Sequence, residues 1–182
     1  MKRLLALALL AGCAQQPPAS LPAERTCAIL IGGDMGPGFA DPQIERFWAE
    51  VNRRITQRLQ ARLFEQYRVE PLLIESAQRT QAQSLVGVAM AKHNCSRILQ
   101  VSHDVNEDAA GRFVRYDISM LGTKPSGKTA PGGTVVTTTG LYAKSYRYAR
   151  TMEFMKTFSP SEFGDQVFKD LEASGVLQGI RR

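Results

Sequence analysis

Between Ile44 and Leu63 the apolar residues of this chain recur at steps of three and four. Ile44, Trp48, Val51, Ile55, Leu59 and Leu63 form one stripe, while Glu45, Arg46, Arg53, Arg54, Arg58 and Arg62 occupy the other faces. Such a stripe on a helix of about 25 residues must be buried against a partner layer. Asp41 suits the N-cap and Pro42 the first helical position. Just upstream, Cys27-Ala28-Ile29-Leu30-Ile31 is a continuous apolar run stopped by Gly32-Gly33. A run of that length suits a strand buried on both faces. Strand followed by long amphipathic helix restricts the chain to architectures in which helices cover a sheet.

The remaining elements follow in order. Tyr67–Glu75 reads as a second strand, and Pro71 within it points to an edge position because it cannot donate to the ladder. Thr80–His93 is predicted as a helix with Leu85, Val88, Ala89 and Lys92 on one side. Arg97–Val105 is a third strand, and Asn106–Gly111 a turn. Arg112–Leu121 alternates, with Val114, Tyr116, Ile118 and Met120 on one face and Arg115, Asp117 and Ser119 on the other. That is the pattern of a half-buried antiparallel strand. Residues 122–133, rich in Gly, Pro and Lys, read as a long hairpin loop. Thr134–Ala149 reads as a fifth strand, with Gly140 marking a bulge. The stretch Arg150–Phe158 is ambiguous. Ser159-Pro160-Ser161-Glu162 is a capping-box sequence opening a helix with Phe163, Val167, Phe168 and Leu171 inward, stopped by Gly175. The order β-α-β-α-β-β-β-α implies a single α/β (α+β mixed) domain. Its five-stranded mixed sheet opens parallel, closes as an antiparallel meander and carries helices packed on it. Strands one and three of such a start are often neighbours.

The first sixteen residues, MKRLLALALLAGCAQQ, belong to a different kind of segment. Lys2 and Arg3 form a positive n-region, and Leu4–Ala11 an apolar run of eight residues. Eight is far below the roughly 18–20 needed to span a bilayer but fits a signal-peptide h-region. The Leu10-Ala11-Gly12-Cys13 that follows resembles the lipobox of bacterial lipoproteins. The resemblance implies cleavage before Cys13, acylation of Cys13 and a membrane partner through that anchor. It divides the chain into a signal peptide at 1–12, a lipidated tether at 13–26 and a periplasmic domain at 27–182. Ala14-Gln15 lacks the Asp that resembles an inner-membrane retention signal, which favours the outer membrane. Residues 14–25 contain three prolines and read as an extended tether reaching at most about 40 Å. Cleavage lowers the formal charge from +6 to near +4. That favours anionic neighbours without naming one, and an exported lipoprotein seldom meets nucleic acid.

With Cys13 assigned to lipid, Cys27 and Cys95 remain. Exported proteins meet an oxidising compartment. The two cysteines precede the first and third strands, which puts them at one end of the sheet if those strands are parallel neighbours. A disulfide there closes a loop of about 69 residues, worth roughly 4 kcal/mol in the loop-entropy model. The alternative is two independent buried thiols.

Three segments, AILIGGD before the long helix, AMAKHNCSRILQVSHDV and RFVRYDISMLGTKPSGK, together with the closing EFGDQVFKDLE helix, carry a second resemblance. In pattern, over residues 27–176, the chain resembles the small periplasmic domain at the amino end of TolB and in the lipoproteins LpoB and CsgG. The resemblance implies a protein adaptor or assembly factor of the cell envelope, and no enzyme, cofactor or metal.

The residues themselves offer few chemical sites. His103 and Asp104, adjacent in a strand, point to opposite faces, and His93 falls near the other strand end. They read as a polar strand end running into a turn, with no converging metal ligands. The loop Gly32–Gly38 lies where phosphate loops sit, but lacks their Lys-Ser/Thr and the G-x-G-x-x-G spacing. Its Asp34 is instead a candidate for a partner surface. No serine lies in G-x-S-x-G. Lys124 and Lys128 in the hairpin and the arginines of the first helix are either solvated or touch an anionic partner. Tyr142, Tyr146 and Tyr148 share one parity of the fifth strand; exposed, they form a protein-binding surface, and under a helix they are core. The sequence thus supports a non-catalytic, lipid-anchored adaptor that binds an envelope protein. The alternative is a lipoprotein that binds a small molecule or lipid between sheet and helices.

Overall fold

The computed structural model of the chain describes residues 26–33, 42–130 and 133–182, and the side chains of these except at 125–130 and 133–136. The signal peptide, Cys13, nearly all of the tether, Asp34, the Asp41 cap and the Lys128 side chain lie outside the described residues. Five strands form one sheet: β1 (Ala28–Gly33), β2 (Val69–Ile74), β3 (Arg97–Asp108), β4 (Gly111–Ala130) and β5 (Gly133–Ala149). Their order is β2-β1-β3-β4-β5. β1 is parallel to both neighbours, and β3, β4 and β5 run antiparallel. The mixed sheet, the β1–β3 pairing and the edge position of the Pro71 strand are as the sequence predicts. Every residue of β1 is buried, as its unbroken apolar run requires.

Helices α1 (Pro42–Phe64) and α4 (Pro160–Ala173) cover one face of the sheet. The α1 stripe is buried from Trp48 to Leu63, with Ile44 at its edge. In α4, Phe163, Val167, Phe168 and Leu171 are buried, and the Ser159 hydroxyl accepts from the Glu162 N–H at 3.3 Å. The ambiguous stretch contains a short helix, α3 (Met152–Thr157), capped by the Thr151 hydroxyl. Helix α2 (Ala82–His93) covers β1 on the opposite face.

Four sequence readings are corrected. Residues 122–130 are not a loop: β4 runs to Ala130 and pairs with β5 as a two-stranded ribbon, Lys124 opposite Thr137 and Thr129 opposite Thr134. β-branched residues on β5 supply the ladder, and a register irregularity between Pro125 and Thr129 absorbs the proline and glycine. The Asn106–Gly111 turn shrinks to Ala109-Ala110, since β3 runs to Asp108 and Gly111 takes φ of 107°. The α2 segment starts as a 3-10 turn over Ser76–Gln81. Its packed side is Leu85, Val86, Ala89 and Met90, leaving Val88 63% exposed. The Gly140 bulge is present, as the register steps between Met120 and Leu121 and leaves Leu141 without a β4 partner.

The chain's end contributes to the core without any periodic signal. Leu177 and Ile180 are buried. The backbone there bonds back to the α1–β2 connection through Arg68 N–H to Ile180 O at 2.8 Å and Arg182 N–H to Gln66 O at 2.9 Å.

Cys27 and Cys95 stand at disulfide distance, with Cα atoms 4.5 Å apart, because Ala28 of β1 pairs with Arg97 of β3. Urea unfolding of the oxidised chain should show stability higher than that of Cys27→Ala/Cys95→Ala by up to roughly 4 kcal/mol. Equal midpoints would mean that the bond does not form. A second test concerns the close approach of α1 to β1. A Cβ on Gly32 would lie 1.9 Å from the Thr56 hydroxyl oxygen and 2.7 Å from Thr56 Cβ. Gly32→Ala should therefore destabilise by about 1–3 kcal/mol, and Gly32→Ala in a Thr56→Ala background should recover part of that loss in thermal denaturation.

Candidate functional site

The aromatic residues of β5 gather on the α1/α4 face. Tyr116 of β4 is fully buried at their centre, with Phe158 stacked at 5.6 Å and Phe163 at 4.9 Å. Tyr148 stacks on Phe154 at 5.3 Å, and Tyr146 meets Phe163 edge-on at 4.9 Å. The parity that the sequence predicts for Tyr142, Tyr146 and Tyr148 therefore holds, and all three pack half-buried against the core. Burial raises the Tyr116, Tyr146 and Tyr148 hydroxyls above their ordinary values.

The outward rim of this layer centres on Asp170 of α4. Its carboxylate accepts from Lys144 Nζ at 2.8 Å, from Gln166 Nε2 at 3.1 Å and from the Tyr146 hydroxyl. Burial alone would raise the Asp170 pKa. The Lys144 ammonium, the Tyr146 hydroxyl and the Gln166 amide outweigh it and hold the carboxyl below its usual 3.8.

A groove of about 240 Å³ lies between α1 and the α3–α4 connection, lined by Phe47, Trp48, Val51, Phe154, Met155 and Phe158, with Glu50 and Arg54 at its rim. Phe47 is 42% exposed at its mouth. Trp48, at its floor, stacks on His103 at 5.7 Å. Small-molecule pockets usually span about 300–1,000 Å³, and this groove falls just below that range.

His103 is not on a polar strand end. It is buried at 3% exposure, and its Nδ1 lies 2.6 Å from Asn52 Nδ2. Asn52, also buried, donates to the Gly33 carbonyl at 3.0 Å. A carbonyl only accepts, so the amide nitrogen must face it, and His103 Nδ1 accepts the second N–H. Asn52 falls between Val51 and Ile55 on the apolar stripe, and that misplaced polar residue is the one sequence signal of the contact. Asp104 lies on the opposite face as predicted, paired with Arg115 at 3.6 Å. His93 sits apart, 3.6 Å from Glu70. Among the described residues no group of three His, Cys, Asp or Glu could hold a metal ion.

The basic face of α1 is half neutralised, four of its arginines sharing two carboxylates. Arg58 and Arg62 pair with Asp165 of α4 at 2.8 and 3.4 Å, and Arg53 and Arg54 pair with Glu50. The Arg58 hydrogen bond lowers the Asp165 pKa. Lys124 is exposed on the ribbon.

No family model matches the chain, and no curated protein matches it. Among solved structures it is similar to the PelC dodecamer from Paraburkholderia phytofirmans, in its native form and as a point variant. Each is 14% identical with a TM-score of 0.31, covering 87% of this chain and 94% of that one. A likeness at that level carries no argument about function.

The Asp170 cluster has a pH consequence. A carboxyl whose pKa is depressed in the fold stabilises it above the unfolded value, and that contribution is lost as pH falls through the folded value. Melting temperature should thus fall below pH 3.8. Asp170→Asn should reduce that slope and cost about 1 kcal/mol at neutral pH. An unchanged slope would show that Asp170 does not carry the effect.

Proposed function

We propose that this chain is an outer-membrane lipoprotein, anchored through acylated Cys13, whose periplasmic domain binds another envelope protein without catalysing a reaction. The single observation that carries the anchor is the ordered set of Lys2-Arg3, eight apolar residues and Leu10-Ala11-Gly12-Cys13. Among the described residues no helix is long and apolar enough to cross a membrane, so attachment in this reading rests on lipid. A single acyl chain binds membranes only marginally, and two or more hold a protein stably, which suits the multiply acylated cysteine that a lipobox implies.

The binding reading is supported by the exposed outer residues of β5 and a groove smaller than the usual ligand pocket. Occupation of the groove by a lipid or small molecule is the second reading, favoured by its aromatic lining. The domain's pattern resemblance to adaptor domains points to the first.

Expression with an alkyne-tagged palmitate should label the chain, and Cys13→Ala should abolish the label completely. Inhibiting the lipoprotein signal peptidase should leave an uncut precursor. Equal labelling of Cys13→Ala would overturn the anchor. For the binding role, in-cell crosslinking should yield one reproducible protein adduct of the domain, and an adduct-free chain carrying co-purified lipid would favour the second reading.

A further inference from the structure

The charges of this domain are not spread evenly along the strands. β1, β2 and β3 all start at one end of the sheet, since Ala28 stands in register with both Val69 and Arg97. Arg68 precedes β2, and Arg97 opens β3. Lys92 lies in the last turn of α2, which finishes at that end. β4 leaves through Gly122, opposite Arg97, into the ribbon with Lys124 and Lys128. Arg181 and Arg182 return there, where Arg181 bridges to Tyr67. Seven cations thus meet three acidic residues, Glu65, Glu70 and Glu172. In residues 26–182 the other thirteen Lys and Arg are matched by thirteen Asp and Glu. The whole side-chain excess therefore sits at the end where the chain enters the fold.

The local bonds leave that charge in place. Arg97 donates to the Val176 carbonyl at 2.8 Å and Arg182 to the Tyr67 carbonyl at 3.1 Å, both neutral acceptors. Glu172 accepts from the Tyr67 hydroxyl at 3.3 Å, and Glu70 lies 3.6 Å from His93. Lys92, Lys124, Arg181 and Arg182 are exposed. A helix C-terminus attracts cations by itself, which accounts for Lys92. It does not account for Lys124 and Lys128, which lie on a strand, or for Arg181, which follows a 3-10 turn.

The point of entry selects the occupant. Thr26 stands at this end, its hydroxyl bonding the Gly179 carbonyl. With Cys13 acylated, the intervening residues hold this end within about 40 Å of the bilayer. Charges act over roughly 8 Å at physiological salt, so the tether brings the cations repeatedly within range of the headgroups. Phe64, 47% exposed with the Arg182 guanidinium 4.6 Å from its ring, sets an apolar group beside a cation. That combination suits a lipid interface.

We propose that the end of the sheet carrying Lys92, Lys124, Lys128, Arg181 and Arg182 docks on the anionic phospholipid headgroups of the membrane that holds Cys13. The proposal rests on the lipid-anchor reading and gives the anchored domain an orientation. Each basic residue near an anionic surface strengthens such a contact about fivefold.

The test uses the purified, acylated chain in vesicles of phosphatidylcholine, with or without phosphatidylglycerol. The photocrosslinker p-benzoylphenylalanine is placed at Thr137, which pairs with Lys124, or at Ala110, in the turn at the far end of β3. On irradiation Thr137 should give at least about tenfold more lipid adducts in the phosphatidylglycerol vesicles, and Ala110 few in either. The excess should vanish in high salt and in Lys124→Gln/Lys128→Gln/Arg181→Gln, and persist in Arg112→Gln. Equal Thr137 adducts in both vesicles, an excess indifferent to salt or to the triple variant, an equal loss in Arg112→Gln, or adducts as frequent at Ala110 would overturn the docking surface. So would Thr137 adducts with a protein in place of lipid when cells are irradiated, because the cations would then serve an acidic partner. A purified chain without acyl mass overturns the anchor reading and the docking with it. An acylated chain with no anionic excess overturns the docking alone.

Discussion

Asn52 holds three elements together at one point. It sits on the apolar stripe of α1, and its amide nitrogen bonds the Gly33 carbonyl at the end of β1 and the Nδ1 of His103 on β3. The side chain is fully buried, so each bond that fails leaves a desolvated polar group, at a cost of about 1–3 kcal/mol. The contact therefore tolerates one arrangement. Hydrophobic burial alone would let α1 slide or rotate on the sheet, since apolar contacts are non-directional. The amide bonds and the Gly32–Thr56 approach remove that freedom. With α1 fixed, Arg58 and Arg62 meet Asp165, which positions α4 beside it. α4 then presents Phe163 to Tyr116 and Asp170 to Lys144, which closes the aromatic layer over β4 and β5.

What was legible in the sequence shares a property: it depends on local period. The α1 stripe, the buried run of β1, the alternation of β4 and the Ser159 cap each follow from residues a few positions apart. Pro71 marked an edge because its missing donor is a property of one residue. The readings that failed depend on distant partners. Residues 122–130 contain the composition of a loop, and only the facing Thr-rich segment of β5 turns them into a strand. The packed side of α2 is set by where β1 and β2 place Ile29, Ile31 and Ile74, and its weak period gave no guide, so Val88 was misassigned. His103 looked like a polar strand end because its neighbours Ser102, Asp104 and Asn106 are polar. Its burial comes from Trp48 and Asn52, some fifty residues earlier.

The candidate surface was legible only in part. The shared parity of Tyr142, Tyr146 and Tyr148 was visible, but their half-burial requires α3 and α4 to fold back, and α3 had no clear signal. The arginines of α1 form a basic face in one dimension, and in three Arg53 and Arg54 share Glu50 while Arg58 and Arg62 share Asp165, which leaves the face net positive.

The strand order gives the domain a direction. Arg97 opens β3 and pairs with Gly122, so β4 runs past the start of β3, and the ribbon projects from that end of the sheet. Cys27 and Cys95 lie at the same end, and the Thr26 hydroxyl bonds the Gly179 carbonyl beside them. The polypeptide thus enters the fold where the ribbon leaves it.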